Sequence, residues 1–95
     1  MVCSRILLSR HALQRMFQRS IAPREVHEAI VNGEAIEQYP DDQPFPSTLL
    51  LAVVDGRPLH VLVSRDPLTA TCHVVTVYVP DAAQWSEDFR VRRRS

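Results

Sequence analysis

Histidine, arginine and tyrosine carry whatever chemistry this chain can do. His11 and Arg15 stand four residues apart, so on a helix they share one face, where a phosphate could meet an imidazole and a guanidinium together. Arg19 closes the same arginine-bearing segment. An imidazole titrates near neutral pH and can move a proton. His60 lies in an apolar stretch that reads as a strand, with Tyr78 brought near it by the pairing of the following strand. Such a set suits RNA cleavage without a metal. One group removes the ribose 2′-OH proton, another donates to the leaving 5′ oxygen, and arginine stabilises the extra charge on phosphorus. The candidates are His11, His60 and Tyr78 for proton transfer, and Arg15, Arg19 and Arg57 for phosphate. The same residues describe equally well a module that only binds RNA. Each histidine also has a structural alternative, an imidazole satisfied by a backbone carbonyl or by solvent; His27 and His73 read that way.

Other chemistries find less support. His11, His60, His73 and Cys72 contain no close ligand spacing, so no metal and no cofactor is expected. There is no G-x-S-x-G around a serine, Cys72 has no electropositive neighbour in sequence, and two glycines are too few for a phosphate-cradling loop. Cys3 and Cys72 are too few and too unevenly placed for a disulfide framework, which points to a reducing, cytoplasmic setting. The longest apolar run, Leu49 to Val54, is far short of a membrane span, and no signal-peptide core opens the chain.

At 95 residues, 45% of them hydrophobic, the chain is one soluble globular domain, with a core over 9–89 and an arginine-rich tail over 90–95. The formal charge of zero conceals a strong segregation. Residues 1–24 carry five arginines and no acid, whereas residues 25–42 carry six acids and no arginine. All eleven basic residues are arginine, the side chain suited to bidentate phosphate contacts, although a GC-rich coding bias would give the same composition.

The elements that must hold the candidate residues follow from capping and periodicity. Ser9 can cap a helix to about Arg19, with Leu13, Met16 and Phe17 as its apolar stripe. Pro23 opens a second helix through Val26, Ala29 and Ile30, and Gly33 stops it. Strands follow at 35–39, 48–54, 57–64 and 71–79. The second and third of these flank Asp55-Gly56, a type I′ hairpin signal. That turn sets Leu51 opposite His60 and Leu50 opposite Val61. Pairing Leu62 with Val74 in the next hairpin would put His60 opposite Thr76 and diagonal to Tyr78. Leu59, Val61, Val63, Val75 and Val77 would then form the face that receives the helices. Trp85 and Phe89, four apart, suggest a short C-terminal helical turn.

The run Ser9-Arg10-His11-Ala12-Leu13-Gln14-Arg15-Met16, the stretch from Asn32-Gly33-Glu34 to Tyr39-Pro40, Gly56-Arg57-Pro58-Leu59-His60-Val61 and Val75-Thr76-Val77-Tyr78-Val79-Pro80-Asp81 together resemble the bacterial domain-of-unknown-function family 4258. The resemblance covers about Ser9 to Phe89. It implies an element order similar to that of the RelE and BrnT toxins, which cleave messenger RNA and are silenced by an antitoxin, an analogy at the level of fold. Against it, the chain is neutral rather than basic, and it has no counterpart for the lysines of the RelE site.

The expected fold is α+β: two N-terminal helices on a three- to four-stranded, mainly antiparallel, RelE/BrnT-like sheet. The expected function is that of a metal-independent endoribonuclease of the toxin–antitoxin type, with RNA, a cognate antitoxin and a second copy of the chain as partners and no membrane. The alternative is a non-catalytic nucleic-acid- or protein-binding module on the same scaffold; a small-molecule role has no motif behind it.

Overall fold

The computed structural model describes residues 1–94. The chain runs β1 (Arg5–Leu8), α1 (Arg10–Arg19), α2 (Pro23–Asn32), β2 (Glu34–Tyr39), β3 (Ser47–Val54), β4 (Arg57–Arg65) and β5 (Thr71–Tyr78). The five strands form one sheet in the order β1-β5-β4-β3-β2.

The helices begin and end where local chemistry dictates. The Ser9 side chain accepts from the Ala12 N–H at 3.0 Å, and Ser20 closes α1 in the left-handed region. Pro23 opens α2, and Glu25 reaches back to accept from the Ala22 N–H at 3.3 Å, the half of a capping box that an alanine at the cap position leaves possible. Gly33 ends the helix with its Cα against the Ala29 carbonyl, which a Cβ would strike. In the β3–β4 hairpin Asp55 and Gly56 both take positive φ, as a type I′ turn requires, and the register sets Leu51 opposite His60 as expected.

The class is α+β, but the sheet is not the three- to four-stranded, mainly antiparallel one expected. It has five strands and is mixed, because β1 pairs parallel to β5, Ile6 beside Cys72 and Leu8 beside Val74. Four residues carry too little periodicity to announce a strand, and a parallel partner far along the chain leaves no hairpin signal. The C-terminal helical turn is also absent. Residues 82–84 form a turn, and an isolated bridge joins Trp85 to Arg92. Of the tail expected over 90–95, residue 95 lies outside the described residues.

A bulge corrects the β4–β5 register. His60 lies opposite Tyr78 and Leu62 opposite Thr76, whereas Val63 lies opposite Val74. Val75 is the extra residue, and it turns outward, so Cys72 and Val74 join Leu59, Val61, Val63 and Val77 in the core beneath the helices. Regular alternation had put Val75 in that core and the other two on the opposite face. α1 lies beside β5, beyond the point where β1 ends, and buries only a narrow strip, Ala12 and Met16. Leu13 and Phe17, expected in the core, stand on its outer flank, and Phe17 is 89% exposed.

Cys3 and Cys72 form a disulfide that ties the segment before β1 to β5. The two cysteines, too few and too unevenly placed in the sequence to suggest a disulfide framework, are bonded because the parallel β1–β5 pairing, invisible in the sequence, brings their Cα atoms to 5.7 Å.

Candidate phosphate-binding cleft between α1 and β5

The β5 bulge and the Ser9 cap together aim α1. Besides capping the helix, Ser9 donates from its N–H to the Val74 carbonyl at 3.1 Å and from its hydroxyl to the Val75 carbonyl at 3.0 Å. The first turn is thereby pinned to β5, and the imidazole of His11 comes to the next outward-facing residue, its Nε2 3.0 Å from Thr76 Oγ1. Arg15 and Arg19 follow on successive turns. These three line a cleft of about 430 Å³ with Thr76 and Tyr78 of β5 and Gln84 of the turn that follows. Asp81 is its one acidic residue.

His60 stands behind Tyr78, fully buried. Its Nε2 is 2.8 Å from the Phe89 carbonyl and its Nδ1 is 3.1 Å from the Tyr78 hydroxyl. A carbonyl only accepts, so Nε2 carries the proton, and Nδ1 of the neutral ring accepts from Tyr78. Burial lowers the His60 pKa, outweighing the carbonyl's support of the charged form, and the nearby Arg92 lowers it further. Trp85 packs edge-on against the ring with centroids 4.4 Å apart. Phe89, which supplies the carbonyl, sits at φ 62°, a left-handed conformation uncommon for a bulky residue and found here where its carbonyl meets a buried imidazole.

This arrangement sorts the candidate residues. His11, Arg15, Arg19 and Tyr78 come together in the cleft. His60 does not open into it: both ring nitrogens are engaged and neither is free to exchange a proton with a ligand. Tyr78 spends its proton on His60, and burial raises its pKa, so it offers a bound molecule oxygen lone pairs rather than a proton. Arg57 is elsewhere. It donates to Glu25 Oε2 at 2.6 Å and to the carbonyls of Arg19 and Ser20 at 3.1 and 3.2 Å, closing the end of α1 and holding the Glu25 carboxyl below its ordinary pKa. It therefore positions Arg19 and does not line the cleft itself.

Gln84, Asp81 and Arg92 are additions that sequence reasoning did not make. Thr76 was legible from its parity with Tyr78, but the 81–84 turn folds over the sheet through tertiary contacts that leave no local signal. Arg92 lies over the Trp85 ring, 4.7 Å from its centroid, and its charge is felt at both Tyr78 and His60.

Three carboxylates of the acidic segment are paired or lie far from the cleft. Glu25 is paired with Arg57, and Glu34 with Arg90 at 2.8 Å. Glu34 and Glu37 belong to β2, the strand at the opposite edge of the sheet from β1 and β5. Three strand spacings, about 14 Å, separate β2 from β5, more than the Debye length of about 8 Å at physiological salt.

A family model described as a domain of unknown function, DUF4258, matches residues 8–79. The chain belongs to this family. The DUF4258 match begins at the last residue of β1 and ends just past Tyr78, so it takes in the whole of α1 and β5, the two main walls of the cleft. No curated protein and no solved structure matches the chain. Among the described residues of this DUF4258 chain no group of three His, Cys, Asp or Glu side chains gathers to hold a metal ion, and no helix is long and apolar enough to cross a membrane.

Proposed function

We propose that this protein binds RNA, gripping a backbone phosphodiester in the cleft between α1 and β5. The observation that carries the reading is the convergence of Arg15, Arg19 and His11 on one concave surface with Tyr78. Neither Arg15 nor Arg19 has a carboxylate partner within 4 Å among the described residues, so both guanidinium groups keep their charge for a ligand. Tyr78 lines the same cleft, and its hydroxyl, with the proton spent on His60, keeps oxygen lone pairs to which a ribose 2′-OH can donate. Glu34 and Glu37 on the β2 edge lie beyond the Debye length from β5 and do not oppose an anion in the cleft.

A second reading is cleavage of that RNA in the manner of a toxin, and the exposed imidazole of His11 beside two guanidiniums favours it. His11 would take the proton of the ribose 2′-OH as its oxygen attacks the adjacent phosphorus. The bond from phosphorus to the 5′ oxygen breaks, that oxygen takes a proton from water while the His11 imidazolium returns its own to solvent, and a 2′,3′-cyclic phosphate remains. With His60 sequestered and Tyr78 aimed inward, His11 is the one imidazole or phenol in the cleft equipped for the transfer. The corresponding partners are RNA in the cleft and a cognate antitoxin over the apolar flank of α1, where Leu13 and Phe17 are exposed.

Fluorescence anisotropy with a labelled single-stranded RNA tests the binding reading. Combined Arg15→Ala and Arg19→Ala substitution is expected to abolish binding, and undiminished affinity in that variant would overturn the proposal. Incubation of the same RNA with wild-type protein and with His11→Ala separates the two readings. A cyclic-phosphate product lost in His11→Ala means cleavage, and intact RNA with wild-type binding means a binding module.

A further inference from the structure

A second cavity, of about 320 Å³, opens on the sheet face away from the helices. Its walls are Phe45 and Pro44 of the β2–β3 loop and Leu62, Ser64, His73 and Val75 of β4 and β5. The rings of Phe45 and His73 lie nearly parallel, 15° between planes and 5.8 Å between centroids. The bulge creates this pocket: it turns Val75 and His73 to the face that already carries Thr76 and Tyr78.

We propose that this pocket is a nucleobase subsite for the RNA held in the α1–β5 cleft, the base stacking on the Phe45–His73 pair. The inference rests on the RNA-binding reading and extends it. Three observations support it. First, the two sites share one sheet face and one strand, with His73 and Thr76 about 10 Å apart along β5, within the reach of one extended nucleotide. Second, the charges divide as the parts of a nucleotide do. The α1 wall is cationic and suits phosphate, whereas the Phe45 pocket is largely apolar, holds no arginine and has Asp42 at its rim, which suits an uncharged ring bearing hydrogen-bond donors. Third, aromatic pockets on an open sheet face are a physical solution to binding splayed bases, because every base has a stackable face. Double-stranded RNA, whose bases are already stacked, could not use such a pocket.

Anisotropy titrations with a labelled single-stranded hexanucleotide, and competition by ribose 5-phosphate, test this. Phe45→Leu, which keeps apolar volume and loses the ring face, should weaken hexanucleotide binding by about 5- to 150-fold, the worth of one stacked base. Competition by ribose 5-phosphate, which has no base, should be equally effective against either protein once scaled to hexanucleotide affinity. Phe45→Tyr should restore binding, which separates stacking from loop integrity. Unchanged hexanucleotide affinity in Phe45→Leu, or failure of Phe45→Tyr to restore it, overturns the subsite. Loss of the parent reading looks different: the Arg15→Ala, Arg19→Ala double variant would then bind the hexanucleotide as tightly as wild type, whatever Phe45 does.

Discussion

Replacing His60 by alanine should unfold much of the protein, and the size of the effect can be worked from its contacts. The ring is fully buried, edge-on to both Trp85 and Tyr78, and bonded at both nitrogens. Orphaning the Phe89 carbonyl costs about 1–3 kcal/mol, and the half-exposed Tyr78 hydroxyl costs less because water can reach it. Two lost aromatic contacts add roughly 0.5–1.5 kcal/mol each, and the cavity left behind adds about 1–2 kcal/mol. The total, about 3–8 kcal/mol, rivals the roughly 5–14 kcal/mol that a domain of this size has in all. At roughly 0.2 kcal/mol per degree the melting temperature should fall by about 15–40 °C. Circular dichroism during thermal unfolding measures this directly, with urea unfolding as the check on free energy. A His60→Ala protein that melts within about 5 °C of wild type would refute the assignment of His60 to the core. The same ring gives a pH signature. Burial holds the folded-state pKa below the ordinary value of 6.5, so in the range beneath that value the unfolded chain binds a proton that the folded chain does not. Stability is full above about pH 6.5 and falls as pH drops toward the folded pKa, by at most about 1.4 kcal/mol per pH unit.

Three further outcomes follow from other contacts. Arg57→Ala should cost about 2–3 kcal/mol in urea unfolding at pH 7, below the value for a fully buried pair because the Arg57 side chain is 34% exposed; with Glu25 held below its ordinary pKa, the difference from wild type should shrink as pH falls below about 4.5. Reducing the Cys3–Cys72 bond, which closes a span of 69 residues, should lower stability by about 4 kcal/mol, and a Cys3→Ser protein should melt like the reduced wild type. In RNA titrations at several salt concentrations, each of Arg15→Ala and Arg19→Ala should reduce the slope of log affinity against log salt by about 0.7, and an unchanged slope would remove that residue from the phosphate contacts.

Local and short-range features were legible in the sequence. The Ser9 cap, Pro23 and Gly33 mark both helices, because capping and backbone restriction act within one turn of chain. Asp55-Gly56 fixes the β3–β4 register, because a two-residue turn leaves a hairpin no freedom to slide. The spacing of His11 and Arg15 placed them correctly on one helix flank. What the sequence could not decide was which of those side chains meet. His60 and Tyr78 were rightly brought together, yet whether the pair faces a ligand or the core depends on the 81–94 segment, whose Phe89 carbonyl and Trp85 ring cover His60 through contacts made 25 or more residues away. The parallel β1–β5 pairing, and the disulfide it permits, arise between chain ends that share no turn. The Val75 bulge, one unpaired residue, reverses the faces of Cys72, Val74 and Val75. It opens the Phe45–His73 pocket beside the cleft, because side chains alternate with a period of two and a single inserted residue inverts everything on one side of it.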